Sequence, residues 1–301
     1  MRREHGQAAA LSVLFLTVLM LSAAAVIDVG FWFREDRDTQ RAADAAALAG
    51  ASALPENQST ALDRALEFGD KNGGGVLASD VTFSTTVLPG DTISVDVDRP
   101  ADTFFAKIVG LDSVEVGSTA KARAGVPSEA RWAAPIGVDE KHDFLNCSPV
   151  LSCFGPSSPT TLDMEKVGPG AFRLLNLDHS KGGTGSKILS EWILEGYAGS
   201  MGPGQYNSDP GAKFNSSDVK AAMTERLNTE LLFPVYRTIR EEGANLEYEV
   251  IGWVGFFVTD FKGKGNGGSV SGYFSRVIWE GTLNGTGGTT DFGVRSVALI
   301  D

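Results

Sequence analysis

The side chains of this chain that could do covalent, metal or acid–base chemistry are two cysteines, three histidines and a scatter of carboxylates. Cys147 and Cys153 stand close together in Asn146-Cys147-Ser148-Pro149-Val150-Leu151-Ser152-Cys153. That spacing closes a small disulfide loop in an oxidising compartment. His142, just upstream, would add a third metal ligand, but structural zinc sites usually draw on four ligands with tighter Cys spacing, so a disulfide is expected. The histidines are His5, His142 and His179. They lie far apart in the sequence, and no Gly-x-Ser-x-Gly elbow supplies a nucleophile for them. Gly182-Gly183-Thr184-Gly185-Ser186-Lys187 has the composition of an anion cradle at a helix start but not the Gly-x-x-x-x-Gly-Lys-Ser/Thr spacing of a phosphate loop. It reads as a turn, as do the glycine-rich stretches 263–268 and 285–288. Glu241 with Glu242, and Asp163, Glu165, Asp178, Glu191 and Glu195, are carboxylates to which sequence assigns no acid or base role. No catalytic, cofactor-binding or metal-binding residue is assigned, and no cofactor is expected.

The composition bounds what these residues could serve. A chain of 301 residues with 42% hydrophobic and 21% charged residues holds a sizeable core, and its 36 glycines predict many turns. The formal charge of -12, without a block of Lys and Arg, excludes a nucleic-acid surface.

The most informative element is N-terminal. Residues 8–27 are about 20 apolar or small residues, enough to cross a bilayer as a helix. They run without a breaker into an amphipathic alanine-rich stretch, residues 40–54, which Pro55 ends. Ala43, Ala47 and Ala51 repeat every four residues and so form a narrow stripe that another backbone can approach closely. Its partner is either the chain's own sheet or a neighbouring subunit. Arg2 and Arg3 followed by an apolar run and small residues at 22–25 also fit a secretory signal peptide. The run exceeds the usual h-region, and Phe31, Trp32 and Phe33 sit where an interfacial belt lies, which favours an uncleaved anchor. Basic residues are similar in number on both flanks, so the expected orientation, with residues 1–7 cytoplasmic and residue 31 onward outside, rests on the export of long downstream domains and on the cysteine pair.

The order Gly6-Gln7-Ala8, apolar span, Asp28-Val29-Gly30, aromatic residues and Gln40-Arg41-Ala42-Ala43-Asp44-Ala45-Ala46-Ala47-Leu48-Ala49-Gly50-Ala51 resembles the N-terminus of TadE/TadG-like proteins of the Flp pilus assembly system. The resemblance covers about the first 55 residues. It implies a bacterial single-pass membrane protein accessory to pilus assembly, partnered by the lipid bilayer and other pilus-assembly membrane proteins. Larger members carry a von Willebrand factor A domain with an Asp-x-Ser-x-Ser metal motif. Here Asp178-His179-Ser180-Lys181-Gly182 lacks the second serine, so no adhesion metal site carries over.

The remaining sequence predicts an α+β chain. A helix capped by Ser59 runs over residues 60–68. Strands follow at 81–87 and 92–97, then a short helix at 101–109 whose Phe104, Phe105 and Ile108 fill the core, then a strand at 114–124. Together with the N-terminal helix this makes a pilin-like unit over residues 31–126. After a hinge at 125–128, residues 131–301 form a mostly antiparallel β region. Its expected helices are 187–197 and 217–231, capped by Ser216 or Ser217, and its strands are 233–239, 246–261, 270–280 and 294–300. Residues 248–261 are apolar on both faces, which predicts a central strand. Two rival functions stay open beside pilus assembly: a secreted hydrolase or carbohydrate-binding β-domain released by cleavage near Ala25, and an envelope structural protein with no pilus role.

Overall fold

The N-terminal apolar and alanine-rich stretches form one α-helix, α1 (His5–Ala51), of 47 residues. At 1.5 Å per residue it is about 70 Å long. The computed structural model describes residues 5–147, 153–164, 172–180, 183–242, 245–265, 267–283 and 289–300. The chain divides into two compact units, residues 1–124 with 298–301 and residues 125–297.

In the first unit, α1 has two surfaces. Residues 9–27 are exposed apart from half-buried Ala24, and by length and composition the helix can cross a membrane. Farther along, Ala42, Ala43, Ala46, Ala47 and Ala51 are fully buried. They face α2 (Gln58–Lys71), whose own inner face is Ala61, Ala65 and Gly69. A Cβ placed on Gly50 would lie 3.0 Å from the Ala61 carbonyl oxygen and 3.3 Å from the Ala65 Cβ. Only small residues allow two helices this close. The α2 cap is Asn57, which accepts the Thr60 N–H at 2.9 Å, and not Ser59 as expected. The helix begins two residues earlier, at Gln58, which puts Ser59 inside its first turn. It ends where Gly73, Gly74 and Gly75 take positive φ, a conformation that costs glycine little.

Strands β1 (Val81–Ser84), β2 (Thr92–Asp102) and β3 (Ser113–Gly125) form an antiparallel meander, with Val81 opposite Val95 and Thr92 opposite Arg123. Ile93, Val95 and Val97 are buried while Asp96 and Asp98 are exposed, as period-two alternation requires. The turn before β2 is held by the buried Asp91, whose carboxylate accepts N–H bonds from Thr86, Val87 and Leu88 at 2.8–2.9 Å and the Thr92 hydroxyl at 2.8 Å. Burial raises its pKa, but the hydrogen bonds outweigh burial and hold the carboxyl below its ordinary value.

The stretch 101–109 departs from the expected helix. β2 continues to Asp102, and only a 3-10 turn, Ala106–Val109, follows. Gly110 at φ +86° reverses the chain after that single turn. Phe104, Phe105 and Ile108 do not fill the core: they are 60%, 42% and 83% exposed. They flank α1 instead, on a loop whose amides are claimed from outside the sheet, as described below.

The second unit opens with β4 (Glu129–Ala130), β5 (Ile136–Asp139), β6 (Thr160–Asp163) and β7 (Phe172–Asn176). Then come α3 (Ser186–Leu194), β8 (Gly204–Asp209), α4 (Ser217–Glu225) and β9 (Glu230–Glu242). β10 (Asn245–Lys264), β11 (Gly267–Ser275), β12 (Val277–Ile278) and β13 (Gly281–Thr282) follow, and β14 (Val294–Ile300) has residues 294–297 in this unit and 298–300 in the first. The large sheet has the order β6-β11-β10-β8-β7-β5-β9, and β9 pairs again with β10. Five strands, β10, β8, β7, β5 and β9, therefore close into a ring. Within this sheet pairing is antiparallel except for β5 with β9, and β12 pairs parallel with β14. The central strand is β10, with Tyr248, Val250, Trp253, Val254, Phe256 and Val258 almost fully buried.

Four of these strands, β5 to β8, are absent from the sequence expectation. They are four to six residues long, too short for a period to stand out. α4 stops at Glu225 rather than residue 231, because Asn228 at φ +58° turns the chain into β9. Its cap is Ser216, which accepts the Val219 N–H.

Two outcomes follow. Gly50→Leu gains helix propensity of about 1 kcal/mol yet destabilises the protein by a net of about 1–3 kcal/mol through overpacking, read as a lower denaturant midpoint of the full-length protein in detergent. Asp91, with its folded pKa below the unfolded value of 3.8, stabilises the hairpin above that pH and loses the contribution as pH falls through the folded value. Asp91→Asn flattens the acid limb of the stability profile below about pH 4, as a pH series of thermal midpoints would show.

Candidate functional site

The residue that stands out in the first unit is Asp28, a carboxylate in the apolar half of α1 that is only 3% exposed. Between its neighbours Ile27 and Val29, both exposed, it points at the loop joining β2 and β3. One carboxylate oxygen accepts the Phe104 N–H at 2.8 Å and the Phe105 N–H at 3.2 Å. The other accepts Phe105 at 3.1 Å and Ala106 at 2.7 Å. The carboxylate thus caps the 3-10 turn from another element, using the amides such a turn leaves unpaired at its start. One turn along α1, the Phe31 ring meets Phe104 edge-on at 5.2 Å.

The loop is closed at its base by the Thr103 N–H, which donates to the Asp112 carbonyl at 3.1 Å. Leu111 N–H donates to Ala106 at 3.1 Å, and Gly110 N–H to Lys107 at 3.1 Å. Its apolar tip, Ile108 and Val109, is more than 80% exposed at 83% and 82%. Between tip and helix runs a groove of about 640 Å³, walled by Met20, Ala24 and Ile27 on α1 and by Phe105, Ile108 and Val109 on the loop. The chemistry this arrangement can do is apolar burial, not catalysis.

In the sequence Asp28 belongs to the Asp28-Val29-Gly30 motif, which by itself gives it no role. The available signal was a lone carboxylate in an apolar helix, which must find partners to be tolerated there.

The residues singled out from sequence are placed as follows. Cys147 and Cys153 are joined in a disulfide with Cα atoms 6.1 Å apart. Ala43, Ala47 and Ala51 are fully buried within the chain. His142 is 4% exposed, accepts the Phe144 N–H at 3.1 Å and packs edge-on against Phe274. His179 is exposed and lies over Tyr206 at 4.3 Å. Asp178 accepts the Ser180 N–H at 2.8 Å, an interaction local to its own turn.

Of the glycine-rich segment before α3, the Thr184 N–H donates to both Asp209 oxygens at 3.0 Å, and Lys213 pairs with the same carboxylate. An internal carboxylate and ammonium already occupy the place an anion would take. Glu191 and Glu195 are exposed on and just after α3, and Asp163 is half-buried on β6. Glu165, Gly182, residues 285–288 and the side chains of Glu241 and Glu242 lie outside the described residues. Among the described residues, no group of three or more His, Cys, Asp and Glu is placed to hold a metal ion.

Residues 6–53 match the Flp pilus-assembly TadE/G-like family model, the family that the N-terminal motif resembles. No curated protein and no solved structure matches the chain. The family match covers α1 and stops just past its alanine face, so Asp28 lies within it and the loop it caps does not.

Replacing Asp28 by Ala leaves the Phe104, Phe105 and Ala106 amides without their acceptor. Hydrogen exchange at these amides rises in the full-length protein, while protection within α2 is unchanged, as mass spectrometry of exchanged peptides would reveal.

Proposed function

We propose that this chain is a non-enzymatic, single-pass bacterial membrane protein, accessory to Flp-type pilus assembly or anchoring. In this reading residues 1–7 are cytoplasmic, α1 crosses the membrane in its first half, and the bulk of the chain is extracytoplasmic. The observation that carries it is the continuity of α1. A bare apolar segment long enough for a bilayer passes without a break into a helix face buried against α2 and β2, and the family match covers that same stretch. We read the alanine-faced helix beside a small antiparallel meander as a pilin-like module, which would suit a subunit or accessory of a filament-building machine. The Cys147–Cys153 disulfide supports exposure to an oxidising compartment. Partners are the lipid bilayer and other pilus-assembly membrane proteins.

In a bacterial host the full-length protein fractionates with membranes and is released by detergent but not by high salt. Protease added from the extracytoplasmic side digests residues 125–297. Recovery of the intact chain in the cytosol, or digestion only from the cytoplasmic side, overturns the reading. Deletion of the gene removes surface pili, and pili that persist unchanged would point to an envelope role instead.

A further inference from the structure

We propose that the loop of residues 103–112 is a second membrane-contacting element: its apolar tip enters the leaflet that α1 leaves through Met20–Ile27, and lipid acyl chains fill the groove between loop and helix. This rests on the reading that α1 spans a bilayer.

The position follows from helix geometry. If Phe31, Trp32 and Phe33 mark the interface, Ile27 lies about 6 Å and Met20 about 16 Å deeper along α1 at 1.5 Å per residue. A hydrocarbon leaflet is about 15 Å thick, so the groove wall runs from Ile27 inside that leaflet to Met20 near the bilayer midplane. Ile108 and Val109 line that same groove. The exposed apolar surface of α1 and that of the loop are therefore one continuous surface, and what covers the first covers the second.

Irregular backbone enters lipid only when its polar groups are already satisfied. In this loop six of the amides are. Asp28 takes the amides of Phe104, Phe105 and Ala106, and Ile108, Gly110 and Leu111 donate to Phe105, Lys107 and Ala106 within the loop. The same hydrogen bonds spread the carboxylate's charge over the three amides, which is what a carboxylate near the bilayer boundary needs. Lys107, exposed in the same turn, carries an ammonium on a long apolar stem and can reach a headgroup phosphate while its neighbours stay in the acyl region. The pairing of an apolar tip with a flanking cation is that of an interfacial anchor.

The test uses the full-length protein in vesicles of phosphatidylethanolamine and phosphatidylglycerol, with a nitroxide on single introduced cysteines. Ile108→Cys and Val109→Cys probe the tip, Leu16→Cys the span, and Lys121→Cys, on the exposed face of β3, the aqueous phase. Expected is that labels at 108 and 109 are shielded from a water-soluble nickel chelate and accessible to dissolved oxygen, like the label at 16 and unlike that at 121. Adding Asp28→Asn is expected to shift the label at 108 toward the behaviour of the one at 121 and leave the label at 16 unchanged.

If 16 is shielded while 108 and 109 behave like 121, the span stands and this inference fails. If 16 itself behaves like 121, the spanning reading fails and takes the inference with it. Spin–spin broadening between copies at 108, without gain of oxygen contact, would mean that a second copy fills the groove, and overturns the assignment to lipid.

Discussion

A helix that runs from lipid into protein without a break must change its surface partway along, and Asp28 sits at that change. On one side of it α1 offers mostly exposed apolar side chains, and on the other a buried alanine face. Its carboxylate ties the loop between β2 and β3 to the helix through three backbone amides. A single charged group therefore sets where the sheet's connection meets the helix. It is also why Phe104, Phe105 and Ile108 face outward: the turn that carries them is held against the apolar half of α1 rather than over the sheet.

The alanine face works by the opposite means. It contributes little apolar area per residue, but it lets two helices approach until Gly50 lies against the Ala61 carbonyl. Close approach brings many weak dispersion contacts together, which compensates for the small side chains. The stripe is fully buried within the chain, and the adjacent Gly50 lies against Ala61 and Ala65 of α2 and Ile93 of β2. What α1 has left to offer a membrane or a neighbour is its apolar half and the loop beside it.

The second unit is organised around one strand. β10 is long enough to meet β8 and β11 along one edge in succession and β9 along the other, which closes five strands into a ring. Side chains that could have suggested chemistry are absorbed by this architecture: His142 caps a turn beneath Phe274, and Asp209 holds the segment before α3. Buried polar groups of this kind are spent on satisfying backbone donors.

Sequence alone determined the length and continuity of α1, the small-residue stripe, the hairpin at Asp91, the central apolar strand and the family resemblance of the first residues. Each of these depends on local composition or on a period of residues close together in the chain, which is what a sequence displays directly. Tertiary structure decided the rest. The partner of Asp28 is 76 to 78 residues away, so nothing near either site announces the contact. The exposure of Ile108 depends on where that contact places the loop, since the same Phe-Phe-x-x-Ile spacing suits a core helix equally well. Strands β5 to β8 are too short to carry a period, and they exist because β9, β10 and β11 offer edges to β5, β8 and β6, while β7 pairs between β5 and β8. Local pattern states which surfaces are apolar, and only long-range hydrogen bonding settles which of them end up covered.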